Sequence, residues 1–251
     1  MKNTLKKYRV ILMGSRPLSM RILKYFLKRK DIDLISVIAS DKGHKGWWKG
    51  GLYDEAIKHK IRISTQDDIK KLNPDVIFSV NYTQIIKKEL TEKFRIINTR
   101  SLLPRYRGRN AVSWAIINAR KDNYWKFGVS LHEMDESLDT GPIIATSYFD
   151  IEEDDTAYTL YRKWERHCFR LIKKMIPHLL SGNYKALIQK GKSYYYDKDS
   201  IKDKEISLSW SKDEIYDRVR AYTFPPYERP YIRLRNRRIY LIFDILKNEV
   251  K

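Results

Sequence analysis

Apolar and polar positions alternate between two periods along the first hundred residues. YRVILM (8–13) is a short apolar run, and from Pro17 to Lys30 the apolar residues recur at helical spacing. DLISVIA (33–39) reads as a strand, GLYDEAIKHK (51–60) as a helix, and IRIS (61–64) as a short extended piece. DVIFSV (75–80) and FRIIN (94–98) are further apolar runs. Strands alternating with helices predict βαβ units and a parallel sheet. Such sheets take their ligands beyond the carboxyl ends of the strands. Three of those ends carry polar or glycine residues: Gly14-Ser15-Arg16, Asn81-Tyr82-Thr83-Gln84 and Asn98-Thr99-Arg100.

Beyond residue 108, RNAVSWAIINAR reads as a helix and FGVSLHEMD (127–135) as a strand. LDTG (138–141) is a turn, and PIIATSYFDI (142–151) is another strand. Asp154, Asp155 and Thr156 can cap a long amphipathic helix that runs to about Leu180, with Gly182 to end it. From about residue 183 the pattern changes. Short extended pieces (YKALIQK, KSYYYDK), a helix from Ser211 to Tyr222 and a hairpin in YIRLRNRRIYLIFDI predict a small C-terminal region. The expected division is therefore 1–182 and 183–251.

A chain of 251 residues has room for one large domain, or for one domain with a small appendage. A hydrophobic share of 42% is enough for a core. No window of about 18 apolar residues occurs, so no membrane span is expected. MKNTLKKYRVILMG is basic and then briefly apolar, and reads as a first strand rather than a signal peptide. The single cysteine, Cys168, excludes an internal disulfide and suits a reducing cytoplasm. It lies in a helical pattern among apolar neighbours and is expected to pack. The net charge is +20. A basic protein attracts phosphates, but the lysines are scattered, as composition alone would scatter them. The arginines are more telling, because they cluster at 100–109 and 218–238. Gly14 stands alone, without the glycines of a dinucleotide or P-loop fingerprint. A helix start after Arg16-Pro17 can still hold one anionic group.

Two segments stand out, SLLPRYRG (101–108) and MDESLDTGPII (134–144). Proline and glycine set the backbone in both, and Asp139 sits at a tight turn leaving a strand. Together they resemble the folate-dependent formyltransferase family. Its fingerprint is N-x-H-x-S-L-L-P-x-Y-R-G, followed some 30 residues on by L-D-T-G. The likeness extends over RGRNAVSWAIINAR, FGVSLHEMD and the late VRAYTFPPYERPYI, and so over most of the chain. RGRNAVSWAII and RAYTFPPY look most like the nucleotide-sugar N-formyltransferases. Pattern and resemblance predict an α/β fold: a Rossmann-like, mostly parallel sheet with flanking helices (1–182), and a small α+β appendage with a β-hairpin (183–251).

The resemblance implies transfer of a formyl group from N10-formyltetrahydrofolate, as co-substrate, to the amine of a nucleotide-linked amino sugar. A dTDP-4-amino-4,6-dideoxyhexose is one example, and lipopolysaccharide O-antigen synthesis the setting. An oxyanion develops in that reaction and needs donors, and the amine's proton must reach the leaving folate nitrogen. The family uses Asn, His and Asp, and Asp139 matches the Asp. Counting back from Ser101, the His falls on Thr99 and the Asn on Ile97. Asn98 is one residue late, and in a strand one residue reverses the side-chain direction. Either a one-residue deletion leaves Asn98 in the Asn role with Arg100 where His would be, or the register holds and both groups are lost. Thr99 is no base near neutral pH. Arg100 can stabilise an oxyanion but cannot shuttle protons. His132, seven residues before Asp139 on the adjoining strand, is the nearest remaining titratable candidate for the missing histidine's role.

Further roles come with the resemblance. Asn81, Tyr82, Thr83, Gln84 and Ile85 look like the loop that lines the folate pterin pocket through backbone groups, with Asp135 beside it. Leu102, Leu103 and Pro104 are expected to shape the pocket wall. Ser101, Arg105, Tyr106, Arg107, Arg109 and Arg16 are candidates for the sugar nucleotide, since guanidinium binds phosphate bidentately. Trp47 and Trp48 can stack on a ligand or pack on the surface. No metal site is expected. The expected partners are a small-molecule nucleotide sugar and folate, in a cytoplasmic homodimer that binds neither nucleic acid nor membrane. Two rivals stay open. One is a methionyl-tRNA formyltransferase, with Arg233, Arg235 and Arg237 on one side of the hairpin to follow a phosphate backbone. The other is a degenerate member that binds its nucleotide sugar without efficient catalysis.

Overall fold

In the computed structural model, residues 6–43, 46–48 and 50–244 are described. Expectations that fall on the remaining positions, among them Ile245 at the end of the predicted hairpin stretch, lie outside the described residues. A mostly parallel sheet organises the fold, as the pattern predicts. Its strands are β1 (Tyr8–Gly14), β2 (Ile32–Ala39), β3 (Val76–Val80), β4 (Ile96–Ser101), β6 (Lys126–Glu133) and β7 (Ile143–Asp150), in the order β2-β1-β3-β4-β6-β7. β1 pairs parallel with β2 and with β3, and β3 pairs parallel with β4. All five residues of β3 are buried. A strand covered on both faces has no polar side to show, so it reads as a continuous apolar run.

Helix α1 (Arg16–Leu27) carries Pro17 in its first turn, where the fixed φ of proline suits it. Its buried stripe of Leu18, Ile22, Leu23 and Phe26 covers one sheet face, and the Phe26 ring meets Phe78 of β3 at 5.1 Å. Short helices follow: α2 (Leu52–Lys58), α3 (Ile69–Leu72, after a 3-10 turn at Gln66–Asp68) and α4 (Lys88–Lys93). Ile69, Leu72 and Leu90 from α3 and α4 pack with Ile11, Ile77 and Ile96 in a second apolar cluster. Each such side chain, fully buried, contributes roughly 1.5–3 kcal/mol. Among the remaining helices, α5 spans Ala111–Lys121 and α6 spans Ala157–Ser181, stopping before Gly182 as expected. Cys168 of α6 is fully buried, in keeping with a packing role.

By contact the chain forms two interleaved compact units. The first holds residues up to Arg100, Val129–Ser147 and His167–Lys190, and the second holds Ser101–Gly128, Tyr148–Arg166 and the chain from Gly191 on. Residues 183–190, grouped with the C-terminal region by pattern, thus cluster with the first unit. In the second unit, β5 (Tyr106–Gly108) pairs parallel with β8 (Tyr194–Tyr196). Gly108 has φ +85°, and a Cβ there would lie 2.1 Å from the Tyr196 carbonyl oxygen, so only glycine fits the approach. Helix α7 (Lys212–Tyr222) is capped by Ser211, whose hydroxyl accepts from the Glu214 N–H at 3.2 Å. Arg220 of α7 is fully buried. It donates to Asp217 Oδ1 at 3.0 and 2.9 Å and to the carbonyls of Glu152 and Asp155 at 3.1 Å each.

The predicted hairpin is present as β9 (Tyr231–Leu234) and β10 (Arg237–Tyr240). Arg235 (φ 45°) and Asn236 (φ 61°) form a two-residue turn with both residues left-handed. That turn overturns the expected arginine row. Leu234 faces Arg237 and Arg233 faces Arg238, so Arg233 and Arg237 lie on opposite sides of the hairpin.

Candidate active site

Strand β4 explains the site. Its residues pair in step with β3: Ile77 with Ile96, Phe78 with Ile97, Ser79 with Asn98 and Val80 with Thr99. Side chains alternate across a strand. Ile96 belongs to the cluster of α3 and α4, so Asn98 and Arg100 share that side. Ile97 lies beside Phe78 on the α1 side, and Thr99 shares that side. Thr99 is buried, and its Oγ1 has no hydrogen-bond partner among the described residues.

The Asn98 side brings together four of the expected residues. The Asn98 amide nitrogen lies 3.2 Å from His132 Nε2. His132 Nδ1 lies 2.8 Å from the Glu133 carbonyl. A carbonyl only accepts, so Nδ1 carries the hydrogen and Nε2 accepts from the Asn98 amide. The imidazole is therefore neutral in this network. Burial, the largest influence, pushes the His132 pKa down, and the Arg100 charge acts in the same sense. The Asp139 carboxylate and the Glu133 carbonyl act against it.

Arg100 and Asp139 form a two-point ion pair. Arg100 Nε donates to Asp139 Oδ1 at 2.7 Å, and Nη2 donates to Oδ2. The Asp139 side chain is only 2% exposed, against 31% for Arg100. The guanidinium is thus the more exposed partner of the pair. Asp139 has φ +59°, a left-handed backbone uncommon for any residue but glycine. The turn that holds it is tied at several points. The Asp135 carboxylate accepts from the Ser137 N–H at 3.2 Å and from the Thr140 hydroxyl at 2.8 Å. Asp135, expected at the folate, is thus engaged in shaping this loop. Gly141 passes so close to β6 that a Cβ would lie 1.9 Å from the Glu133 carbonyl oxygen. Gln189 donates to the carbonyls of Asp139 (3.0 Å) and Gly141 (2.7 Å), and the Tyr184 hydroxyl donates to Glu133 Oε1 at 2.6 Å. Sequence reading missed both residues, because YKALIQK carries no motif linking it to a turn some 50 positions earlier. A cavity of about 430 Å³ adjoins the same loop, lined by Lys88, Thr91, Met134, Asp135, Glu136 and Pro142 among others.

The 81–87 loop leaves β3 in the same unit. Asn81 has φ +54°, and its carbonyl accepts from the Ser15 hydroxyl at 2.5 Å. The Thr83 N–H donates to Ser40 Oγ at 3.2 Å. Gln66 braces the far end: its amide donates to the Ile85 carbonyl at 2.9 Å and accepts from the Lys87 N–H at 3.0 Å. Tyr82 donates to Gln84 at 2.8 Å and packs against the α3–α4 cluster beside Met134. Ile85 is 90% exposed. Arg16 (φ 68°) opens α1, its N–H on Asp41 at 3.1 Å and its guanidinium 5.2 Å from the Trp48 ring. Trp48 packs edge-on against Trp47.

The remaining expected residues belong to the second unit. Ser101 ends β4, Leu102 and Leu103 are buried, and the Leu103–Pro104 peptide is cis. Tyr106 is a core residue whose hydroxyl burial pushes up to about 12. Arg105 pairs with Asp122 and lies over the Tyr124 ring at 4.3 Å. Arg107 is half-buried and Arg109 exposed. Among the described residues no His, Cys, Asp and Glu are grouped as metal ligands, and no helix is long and apolar enough to cross a membrane.

Comparison with known proteins agrees with this fold. Residues 35–175, more than half of the chain, match the model of the formyl transferase family. The GDP-perosamine N-formyltransferase of Brucella melitensis is 31% identical over 67% of this chain; the aligned part is 64% of that protein, so the chain spans less than two thirds of its length. The methionyl-tRNA formyltransferase of Bacillus velezensis is 28% identical over 85% of this chain and 71% of its own length. A crystal structure of an N-formyltransferase from Helicobacter canadensis, in complex with folinic acid and dTDP-3-aminofucose, superposes with a TM-score of 0.78. It is 27% identical and covers 92% of this chain and 86% of that one. By the match over 35–175, and by the site that stands within it, the chain belongs to the formyl transferase family.

Proposed function

We propose that the chain is a nucleotide-sugar N-formyltransferase that takes its formyl group from N10-formyltetrahydrofolate and transfers it to the amine of a nucleotide-linked amino sugar. One observation carries the reading: Asn98 and Arg100 share a strand face and meet His132 and Asp139 there. The similarity to proteins named for GDP-perosamine and bound to dTDP-3-aminofucose supports the sugar substrate.

The donor set suits a formyl oxygen. An amide nitrogen has two hydrogens, and the bond to His132 uses one of those on Asn98. The other, with the positive charge of Arg100, stabilises the negative charge that develops on the transferred oxygen. His132 stays neutral and aims the Asn98 amide. Asp139 receives the proton of the attacking amine. A carboxylate carries about four lone-pair sites on its two oxygens, so the pair with Arg100 does not by itself exhaust them. The folate supplies the formyl carbon and a leaving nitrogen. As the new carbon–nitrogen bond forms and the old one breaks, Asp139 returns the proton to the leaving nitrogen. Arg100 keeps its own proton throughout.

The test is turnover. Purified protein is incubated with N10-formyltetrahydrofolate and a panel of nucleotide-linked amino sugars, and tetrahydrofolate release is followed. We expect turnover that falls at least about 1,000-fold in Asp139→Asn. The two-point Arg100–Asp139 pair favours a second reading, because a permanent cation engages both oxygens of the carboxylate that would have to take the proton. Saturable binding of folate and nucleotide sugar with no turnover would select that reading, a member that kept its pocket and lost its proton relay.

A further inference from the structure

We infer that Gln189 is a positioning residue for Asp139, and that the segment from Tyr184 to Gln189 is the clamp that holds the reacting groups in place. The inference rests on the transferase reading above. Asp139 is held in a left-handed conformation, uncommon for a residue other than glycine although aspartate tolerates it in turns. Its own carbonyl and that of Gly141 both accept from the one Gln189 amide nitrogen, at 3.0 and 2.7 Å. Two carbonyls two residues apart converge on a single donor only when the chain between them turns back on itself. Gln189 therefore reports, and fixes, the curvature that aims the Asp139 carboxylate at Arg100.

The clamp is anchored at both ends. Leu187 and Ile143 exchange two backbone hydrogen bonds, at 2.8 and 2.9 Å, which tie the segment to β7 just past the turn. Tyr184 donates to Glu133, the residue whose carbonyl holds His132 Nδ1. Burial and the Glu133 carboxylate both raise the Tyr184 pKa, so the phenol keeps its proton for that bond. One short segment thus holds the Asp139 turn by its backbone and the Glu133 side chain next to His132, and supplies no reacting atom.

The variant Gln189→Met keeps the length of the side chain and removes both donors, while the Leu187–Ile143 bonds keep the segment seated. We expect kcat to fall roughly 10- to 100-fold, the loss that small misplacements of reacting groups produce, with KM for folate and sugar nucleotide unchanged within about twofold. Amide exchange of the peptide 133–143, followed by mass spectrometry, is expected to quicken in the same variant. The variant Gln189→Glu gives a second handle. Its carboxylate repels both carbonyls when ionised and donates to one when protonated. Its kcat relative to wild type is expected to recover as the pH falls, whereas Gln189→Met shows no such recovery. Unchanged exchange, or quickened exchange with unchanged kcat, would overturn the inference, as would a rise in KM that accounts for the whole loss. A wild type without turnover on any amine would sink the transferase reading instead; exchange in 133–143 then decides alone whether Gln189 holds the turn.

Discussion

The bond from Asn98 to His132 assigns the imidazole a job that only its neutral form can do. Burial lowers the His132 pKa in the folded protein, so the unfolded chain binds the proton more readily. Stability from this group is complete above the ordinary value of about 6.5 and drains away as the pH falls below it towards the lower folded pKa. The slope contributed there is at most about 1.4 kcal/mol per pH unit. Urea denaturation of the wild type and His132→Gln across pH 8 to 5 checks this: the wild type is expected to show the extra slope and the variant to lack it. Thr99 gives the complementary case. Its hydroxyl is buried on the other side of the strand without a hydrogen-bond partner among the described residues, so Thr99→Val is expected to keep wild-type turnover within about twofold. Removing an unsatisfied buried hydroxyl should leave stability unchanged or raise it by about 1 kcal/mol, which thermal denaturation reads directly. A large loss of turnover in this variant would mean that the strand presents Ile97 and Thr99 to the substrate. The sequence left both registers open because the count back from Ser101 and the position of Asn98 disagree, and only a partner on the neighbouring strand distinguishes them.

At the level of elements, most strands and helices were legible because each carries its own period: apolar runs for β1 to β4, a stripe every third or fourth residue for α1 and α6. The hairpin was legible too, but its faces were not. Counting by twos from Arg233 to Arg237 fails because Arg235 and Asn236 form the turn, and the parity of the second strand starts afresh. The LDTG turn could be read locally, whereas its brace could not. A bond from Gln189 to a carbonyl 50 residues away leaves no trace in periodicity. Arg220 is another residue that pattern alone does not reveal. It looks like one basic residue among several on α7, yet it is fully buried and links that helix to the carbonyls of Glu152 and Asp155. Replacing it by methionine strands those carbonyls and part of Asp217, although Arg120 still reaches Asp217 at 2.9 Å. We expect a loss of about 3 kcal/mol, at the low end for breaking a buried pair, visible as a lower denaturation midpoint with an unchanged slope.

For the molecule as a whole, the division at 182/183 follows composition along the chain, while the two compact units interleave in a way that only contacts between distant residues define. The net charge of +20 is a property of this scale as well. It attracts nucleic acid without specifying it. On the hairpin, Arg233 pairs with Glu205 and Arg238 with Glu228, so neither presents an unpaired charge to a phosphate backbone. Binding to tRNA, measured by fluorescence anisotropy, is therefore expected to be weak. It should fall by orders of magnitude between about 50 and 200 mM salt and be indifferent to Arg233→Ala. Tight binding at the higher salt that depends on this arginine would revive the tRNA-directed rival. Burial of the single thiol, Cys168, has a practical side. Alkylating dyes react with exposed thiolates, so the native chain offers them almost nothing. A cysteine placed at Ile188, which is 82% exposed and adjoins Gln189, would take up a fluorophore alone. The protein already provides a dark background on which a single reporter beside the Asp139 turn can signal each arrival of a ligand.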